Sequence, residues 1–157
     1  MKTERIDQGN RAAVDAFILR QWYTMEMAVH GESVDLSHAE GWTAMENGEI
    51  IGLITYRLAG NALEILSLDS LKEHRGIGTA LLNEAVREAR RTGCARVWLI
   101  TTNDNLSALC FYQKRGFDME EFCRNAVDEA RKIKPQIPLI GLDGIPIRHE
   151  IVLEMRL

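Results

Sequence analysis

Cysteine is scarce and unpatterned in this chain: Cys94, Cys110 and Cys123 are an odd number among 157 residues, with no CxxC or other metal-ligand spacing. That argues against a disulfide framework or a zinc module, and free buried thiols in a reducing cytoplasm are the expectation. No apolar run is long enough to cross a bilayer. The opening Met1-Lys2-Thr3-Glu4-Arg5 leads into mixed polar sequence rather than the apolar stretch of a secretory leader. Basic residues are also few, 19 Lys and Arg against 23 Asp and Glu, for a net charge of −4. General nucleic-acid binding is therefore not expected, and an anionic ligand would need a local positive site. Repeats, low-complexity tracts and interdomain linkers are absent as well. The chain reads as a soluble cytoplasmic protein.

What is present, 46% hydrophobic and 27% charged residues, suits one compact α/β domain over residues 1–157. A short strand near Glu4 to Ile6 precedes an amphipathic helix from about Arg11 to Ala28, with Val14, Phe17, Ile18, Trp22 and Met25 at helical spacing and Asn10 as N-cap. Residues from His30 to Gly41 read as a loop or short helix. Trp42 to Glu46 and Glu49 to Leu58 alternate around Asn47-Gly48, the strongest short hairpin signal, and Gly60-Asn61 turns the chain into Ala62 to Ser70. Three antiparallel strands follow from this.

The period then becomes helical from Gly78 to Thr92, where Leu82, Ala85, Val86 and Ala89 share a face and Gly93 closes the last turn. A strand from Ala95 to Thr101 completes a strand-helix-strand unit, whose crossover implies a parallel pair within an otherwise antiparallel sheet. A helix from Asn105 to Arg115 stops at Gly116, a strand starts at Phe117, and Ala126 to Lys132 forms a short helix. Pro135 to Arg148 holds all three prolines together with Ile137, Leu139, Ile140, Leu142, Ile145 and Ile147, so it is expected to pack on the domain. Glu150 to Leu157 alternates as a last strand.

Two features carry chemistry. Arg75-Gly76-Ile77-Gly78-Thr79 opens a helix directly after a strand, offering unhindered backbone N–H groups and a helix dipole to a diphosphate, with Arg75 and Lys72 adding charge. Walker A spacing is absent, and a Rossmann fingerprint would need glycine where Leu81 stands. Further on, Asn105-x-x-Ala108-x-x-Phe111-Tyr112-x-x-x-Gly116-Phe117 places Asn105 and Tyr112 seven residues apart, on one side of a helix. Thr101-Thr102-Asn103-Asp104 sits just before it, where Asn103 or Asp104 is the expected cap.

As an ordered pair these motifs resemble the GCN5-related N-acetyltransferase (GNAT) superfamily, covering about Gly41 to Arg124. The resemblance implies an α/β fold with a mostly antiparallel sheet, a parallel splayed pair and flanking helices. It implies acetyl-CoA as acyl donor, a primary amine as acceptor attacking directly in a ternary complex, and no metal. The family pattern Q/R-x-x-G-x-G/A fits either as Arg75-x-x-Gly78-x-Ala80 or as Glu73-x-x-Gly76-x-Gly78. The second register better matches the distance to Ala80-Leu81-Leu82 and places Glu73 where Gln or Arg is usual. Glu73, His74, Arg75, Gly76, Ile77, Gly78 and Thr79 are then the coenzyme cradle, with Asn105 and the backbone of Leu68 along the pantetheine arm.

Tyr112 is the implied general acid, because a phenol can protonate a departing thiolate of pKa about 8.5. Glu64, four residues before Leu68 and hence on its face, is the candidate base acting through water; Asp69 alternates to the other face. Phe111 and Phe117 read as core. The resemblance implies an acceptor wall at roughly Trp22 to Gly41 and Pro135 to Glu150; a homodimer is compatible with the fold, and the acceptor itself is not readable. A non-catalytic acyl-CoA-binding or sensing module is the alternative.

Overall fold

The computed structural model describes residues 1–72 and 74–157, with Val29 described by its backbone alone. Its elements are β1 (Lys2–Arg5), α1 (Arg11–Trp22), β2 (Glu26–Val29), β3 (Glu32–Asp35), β4 (Glu40–Glu46), β5 (Glu49–Ala59) and β6 (Ala62–Ser70). There follow α2 (Ile77–Arg91), β7 (Arg96–Thr102), α3 (Leu106–Gln113), β8 (Asp118–Cys123), α4 (Ala126–Ile133) and β9 (Glu150–Arg156). Seven strands form a mostly antiparallel sheet with one parallel pair, flanked by the four helices, and β2 with β3 forms a separate two-stranded sheet.

Contacts gather into two units. The first comprises Met1–Met25, Asp35–Val97 and Leu157. In it β1, β4, β5 and β6 lie side by side. Asn47 (φ 52°) and Gly48 (φ 80°) both take the left-handed region that a type I′ hairpin needs, which is why Asn-Gly joins β4 to β5. Core side chains come from Phe17 and Ile18 of α1, Leu53, Ile54 and Tyr56 of β5, Leu63 of β6, and Ile77, Leu81, Leu82, Ala85 and Ala89 of α2. Burying each large apolar side chain contributes about 1.5–3 kcal/mol, so this layer carries most of the unit's stability. Tyr56 is fully buried, and that burial pushes its phenol up to about 12.

Helix α1 is shorter than its sequence pattern suggests. Tyr23 adopts φ 59° and ends the helix at Trp22, and Ala28 belongs to β2. Met25 lies in the bend between α1 and β2. Asn10 does occupy the N-cap position, yet its side chain makes no capping bond; it accepts from the Asp7 N–H and donates to the Arg5 carbonyl.

The second unit comprises Glu26–Val34 and Trp98–Arg156. Most of β7 lies in it with β9 and β8, and β8 pairs antiparallel with β9 from Asp118↔Glu154 to Cys123↔Glu150. Residues expected to be loop or short helix instead form β3 and a single 3-10 turn at Leu36–His38, because His30 and Gly31 both turn with positive φ and fold β2 back on β3. Phe117, Val127, Ala130, Val152 and Leu153 are buried. Phe111 is only half-buried, its ring covered by the Arg115 guanidinium at 3.7 Å, so it is not core. The thiols are free, but Cys110 is exposed and Cys123 intermediate, which leaves only Cys94 as the buried one expected.

Candidate functional site

In the first unit, α2 begins immediately after Gly76, which takes φ 73° at the N-cap and has open space where a Cβ would stand. Gly76, as the N-cap residue, brings no side chain to cap this end. The first intrahelical bond runs from the Ala80 N–H to the Gly76 carbonyl, and the N–H groups ahead of it have no partner within the helix. The helix dipole adds positive potential at the same point, which makes it an anion-binding geometry. His74, at φ 58°, shapes the turn before it. Glu73, the predicted side-chain contributor at this corner, lies outside the described residues.

Both nearby cations are engaged by one carboxylate. Glu46 accepts from Lys72 and, through both oxygens, from Arg75 at 2.9 and 3.2 Å. Lys72 first and Arg75 second hold the Glu46 carboxyl below its usual range. Nothing in the spacing of Glu46, Lys72 and Arg75 announces this triad, since it depends on where β4 ends.

Strand β6 corrects a prediction about facing. Thr55 pairs with Ser67 but Tyr56 with Ile65, so Leu66 is an extra residue and side-chain alternation slips there. Glu64 opposes Arg57 and Leu68 opposes Ile54, three residues away on β5; Glu64 and Leu68 therefore lie on opposite faces. Asp69, opposite Leu53, shares the face of Glu64 instead. Glu64 is not an exposed sheet carboxylate: it is 2% exposed and ion-paired with Arg57.

Asp69, a candidate set aside in the sequence because alternation sends it to the other face from Leu68, has a neutral hydrogen-bond partner. The indole N–H of Trp22, at the end of α1, reaches its two oxygens at 3.2 and 3.1 Å. Burial pushes the Asp69 carboxyl up, and the Trp22 bond offsets this only in part. Such a group is poised closer to neutral pH than an exposed aspartate. The available signal was Trp22 as a polar-tipped residue at the end of an apolar stripe.

In the second unit, Asn105 is itself the N-cap of α3. Its Oδ1 accepts from the Ala108 N–H at 3.1 Å and from the Ser107 hydroxyl at 3.1 Å. It thus precedes the helix, and the seven-residue spacing to Tyr112 does not act as helical periodicity. Capping was expected of Asn103 or Asp104, but these fasten the chain beyond Pro135. Asn103 donates to the Pro146 carbonyl and accepts from the N–H groups of Arg148 and His149, each at 2.9 Å. Asp104 accepts from Thr102 and from the Leu142 N–H.

Tyr112 is buried between Phe111 and Phe117, with ring centroids 5.1 and 5.3 Å away. At the start of β9, Glu150 is 3% exposed, and its Oε2 lies 3.7 Å from the His30 Nδ1. Burial raises the Glu150 carboxyl, with His30 pulling weakly the other way.

Against this geometry, a family model described as "Acetyltransferase (GNAT) family" matches residues 8–117. The chain belongs to the GNAT acetyltransferase family. It is 47% identical over 137 residues to the Bacillus subtilis protein YdhI, whose function is uncharacterized, covering 87% of this chain and 86% of that one. Among solved structures it is similar to an IAA acetyltransferase from Bacillus cereus, with TM-score 0.75, 25% identity and 99% of both chains covered. A GNAT acetyltransferase from Elizabethkingia anophelis with acetyl-CoA bound superposes at TM-score 0.72, with 22% identity over 99% of this chain and 97% of that one. As a GNAT chain it is an acyltransferase by family, and among the described residues no helix is long and apolar enough to cross a membrane.

Proposed function

We propose that this GNAT protein transfers the acetyl group of acetyl-CoA to a primary amine by direct attack in a ternary complex. The observation that carries the reading is the start of α2: a glycine N-cap in the left-handed region with open space at its Cβ position, and Lys72 and Arg75 beside it. Backbone N–H groups from Gly76 to Thr79 would receive the pyrophosphate, with His74 and Arg75 contributing around it. Glu73 belongs to the same corner on the family pattern. The backbone of Leu68 pairs with the pantetheine arm and polarises the thioester carbonyl, in the manner of strand addition. Asn105 supports the arm while capping α3.

The amine nitrogen bonds to the carbonyl carbon as the C–S bond breaks. Tyr112 gives its phenolic proton to the departing thiolate, and a carboxylate takes the proton lost by the amine. We assign that carboxylate to Asp69 in preference to Glu64, because Arg57 already occupies Glu64 whereas Asp69 meets an indole N–H. Three free thiols suit a reducing cytoplasm.

Calorimetric titration with acetyl-CoA, followed by thiol release across a panel of amines, tests the reading. Saturable binding with amine-dependent release supports it. Binding without release for any amine would identify an acyl-CoA-binding module, and no binding would end both.

A further inference from the structure

An amine held at a carboxylate keeps its carbon body beside whatever surrounds that carboxylate, so the walls around Asp69 select the acceptor. Trp22 presents its N–H edge to the two oxygens at 3.2 and 3.1 Å, yet the residue is 38% exposed, which leaves apolar ring surface open beside the carboxylate. Asp69 is itself partly open to solvent. Leu19, three residues before Trp22 on α1, is its neighbour on the helix surface and is 47% exposed. Leu71 joins from the sheet. Its N–H bonds to the Ile51 carbonyl at 2.9 Å, which continues the Leu53↔Asp69 register by one more pair on the same side and puts Leu71 on the face of Asp69. Leu71 is 46% exposed. All four residues belong to the first unit.

A single charge therefore stands within an open apolar rim. Burial and the Trp22 N–H govern the Asp69 carboxyl, and no charged side chain among the described residues acts on it. Lys72, which follows Leu71, is already held by Glu46. We propose that the acceptor is an apolar primary monoamine, an alkyl- or arylalkylamine whose nitrogen meets Asp69 while its carbon body lies on Trp22, Leu19 and Leu71. This inference rests on the acyltransferase reading above, with Asp69 as its base, and names the substrate class of that site. One ammonium matches one carboxylate, and the apolar body covers indole and leucine surface that water otherwise meets. The second ammonium of a diamine would leave water for that rim with no carboxylate to receive it. An amino acid would bring its own carboxylate close to Asp69 and be repelled.

The test measures thiol release by the full chain at saturating acetyl-CoA with hexylamine, phenethylamine and cadaverine. Cadaverine has the length of hexylamine and carries a second ammonium in place of the methyl. We expect kcat/KM for hexylamine to exceed that for cadaverine by about tenfold or more, with phenethylamine on the side of hexylamine. Leu19→Glu sets a second carboxylate on the rim and should lower the hexylamine-to-cadaverine ratio by about fivefold or more, with acetyl-CoA affinity unchanged by calorimetry. Leu71→Glu, from the sheet side, should act in the same direction and serves as the test should the first variant fail to fold. A cadaverine kcat/KM equal to or above that of hexylamine, or a ratio that neither variant moves, overturns the inference and leaves transfer to amines standing. Thiol release with none of the three amines overturns it too, and the acyltransferase reading falls with it only when the wider amine panel is also silent.

Discussion

Arg75 closes a fork on Glu46, with Nη2 2.9 Å from Oε1 and Nη1 3.2 Å from Oε2, beside the glycine start of α2. Lys72 holds the same carboxylate. An incoming diphosphate must therefore compete with Glu46 for both cations. Exposed pairs of this kind contribute little and are weakened by salt. Glu46→Gln should consequently tighten acetyl-CoA binding by about two- to fivefold, more at low salt than at 0.5 M, because freed surface charges are screened within about 10 Å at 0.1 M ionic strength. Calorimetry at two salt concentrations checks this. Equal affinity of variant and parent at both would mean that neither cation meets the coenzyme.

The glycine turn and the hairpins were legible because each depends on local backbone constraints: Asn47-Gly48 must turn and Gly76 must take positive φ wherever the rest of the chain goes. The facing of β6 was not legible, since Leu66 is accommodated by a bulge that nothing in the Ala62–Ser70 pattern signals. Asn105 shows a subtler limit. Its spacing to Tyr112 is real, yet the helix starts one residue later, so the side chain caps instead of lining a helical face. The carboxylates at Asp69 and Glu150 acquire their character from burial and from Trp22 and His30, contacts that arise only on folding.

Tyr112 packs edge-on against Phe111 and Phe117, so removing its hydroxyl leaves the ring contacts intact. Tyr112→Phe should melt within a few degrees of the parent and bind acetyl-CoA equally well. Its kcat should fall about a hundredfold if the phenol is the general acid. Single-turnover kinetics makes the comparison at the chemical step; an unchanged rate there would assign Tyr112 to packing alone.

The Trp22–Asp69 contact sets a pH dependence. Burial raises the Asp69 carboxyl and the indole N–H lowers it in part, so Trp22→Phe should raise it further. A base works only when ionised, and the acid limb of the kcat/KM profile should move to higher pH in this variant. The same sign holds for stability: with the folded value raised further above the unfolded one, the variant loses stability as pH rises through that window. An acid limb that stays in place would remove Asp69 from the reaction and return the base to Glu64.

The segment 135–148 packs on its unit by a different force from the one its composition suggests. Ile147 is buried, but Leu139, Ile140 and Leu142 are 72%, 55% and 54% exposed. Polar bonds fasten it instead. Asp104, 4% exposed, takes the Leu142 N–H at 3.0 Å, and Gly141 lies so close that a Cβ would collide with the Asp104 carboxylate. Arg131 donates to the carbonyls of Ile137, Pro138 and Ile147 at 3.2, 2.7 and 2.8 Å. Hydrogen bonds to charged groups contribute about 1.5–3 kcal/mol each, whereas an exposed leucine contributes within about 0.5 kcal/mol. Asp104→Ala should therefore speed amide exchange across residues 139–147 by about tenfold or more, while Leu139→Ser leaves it nearly unchanged. The opposite ranking, with Leu139→Ser loosening the segment and Asp104→Ala silent, would show that apolar burial holds it after all.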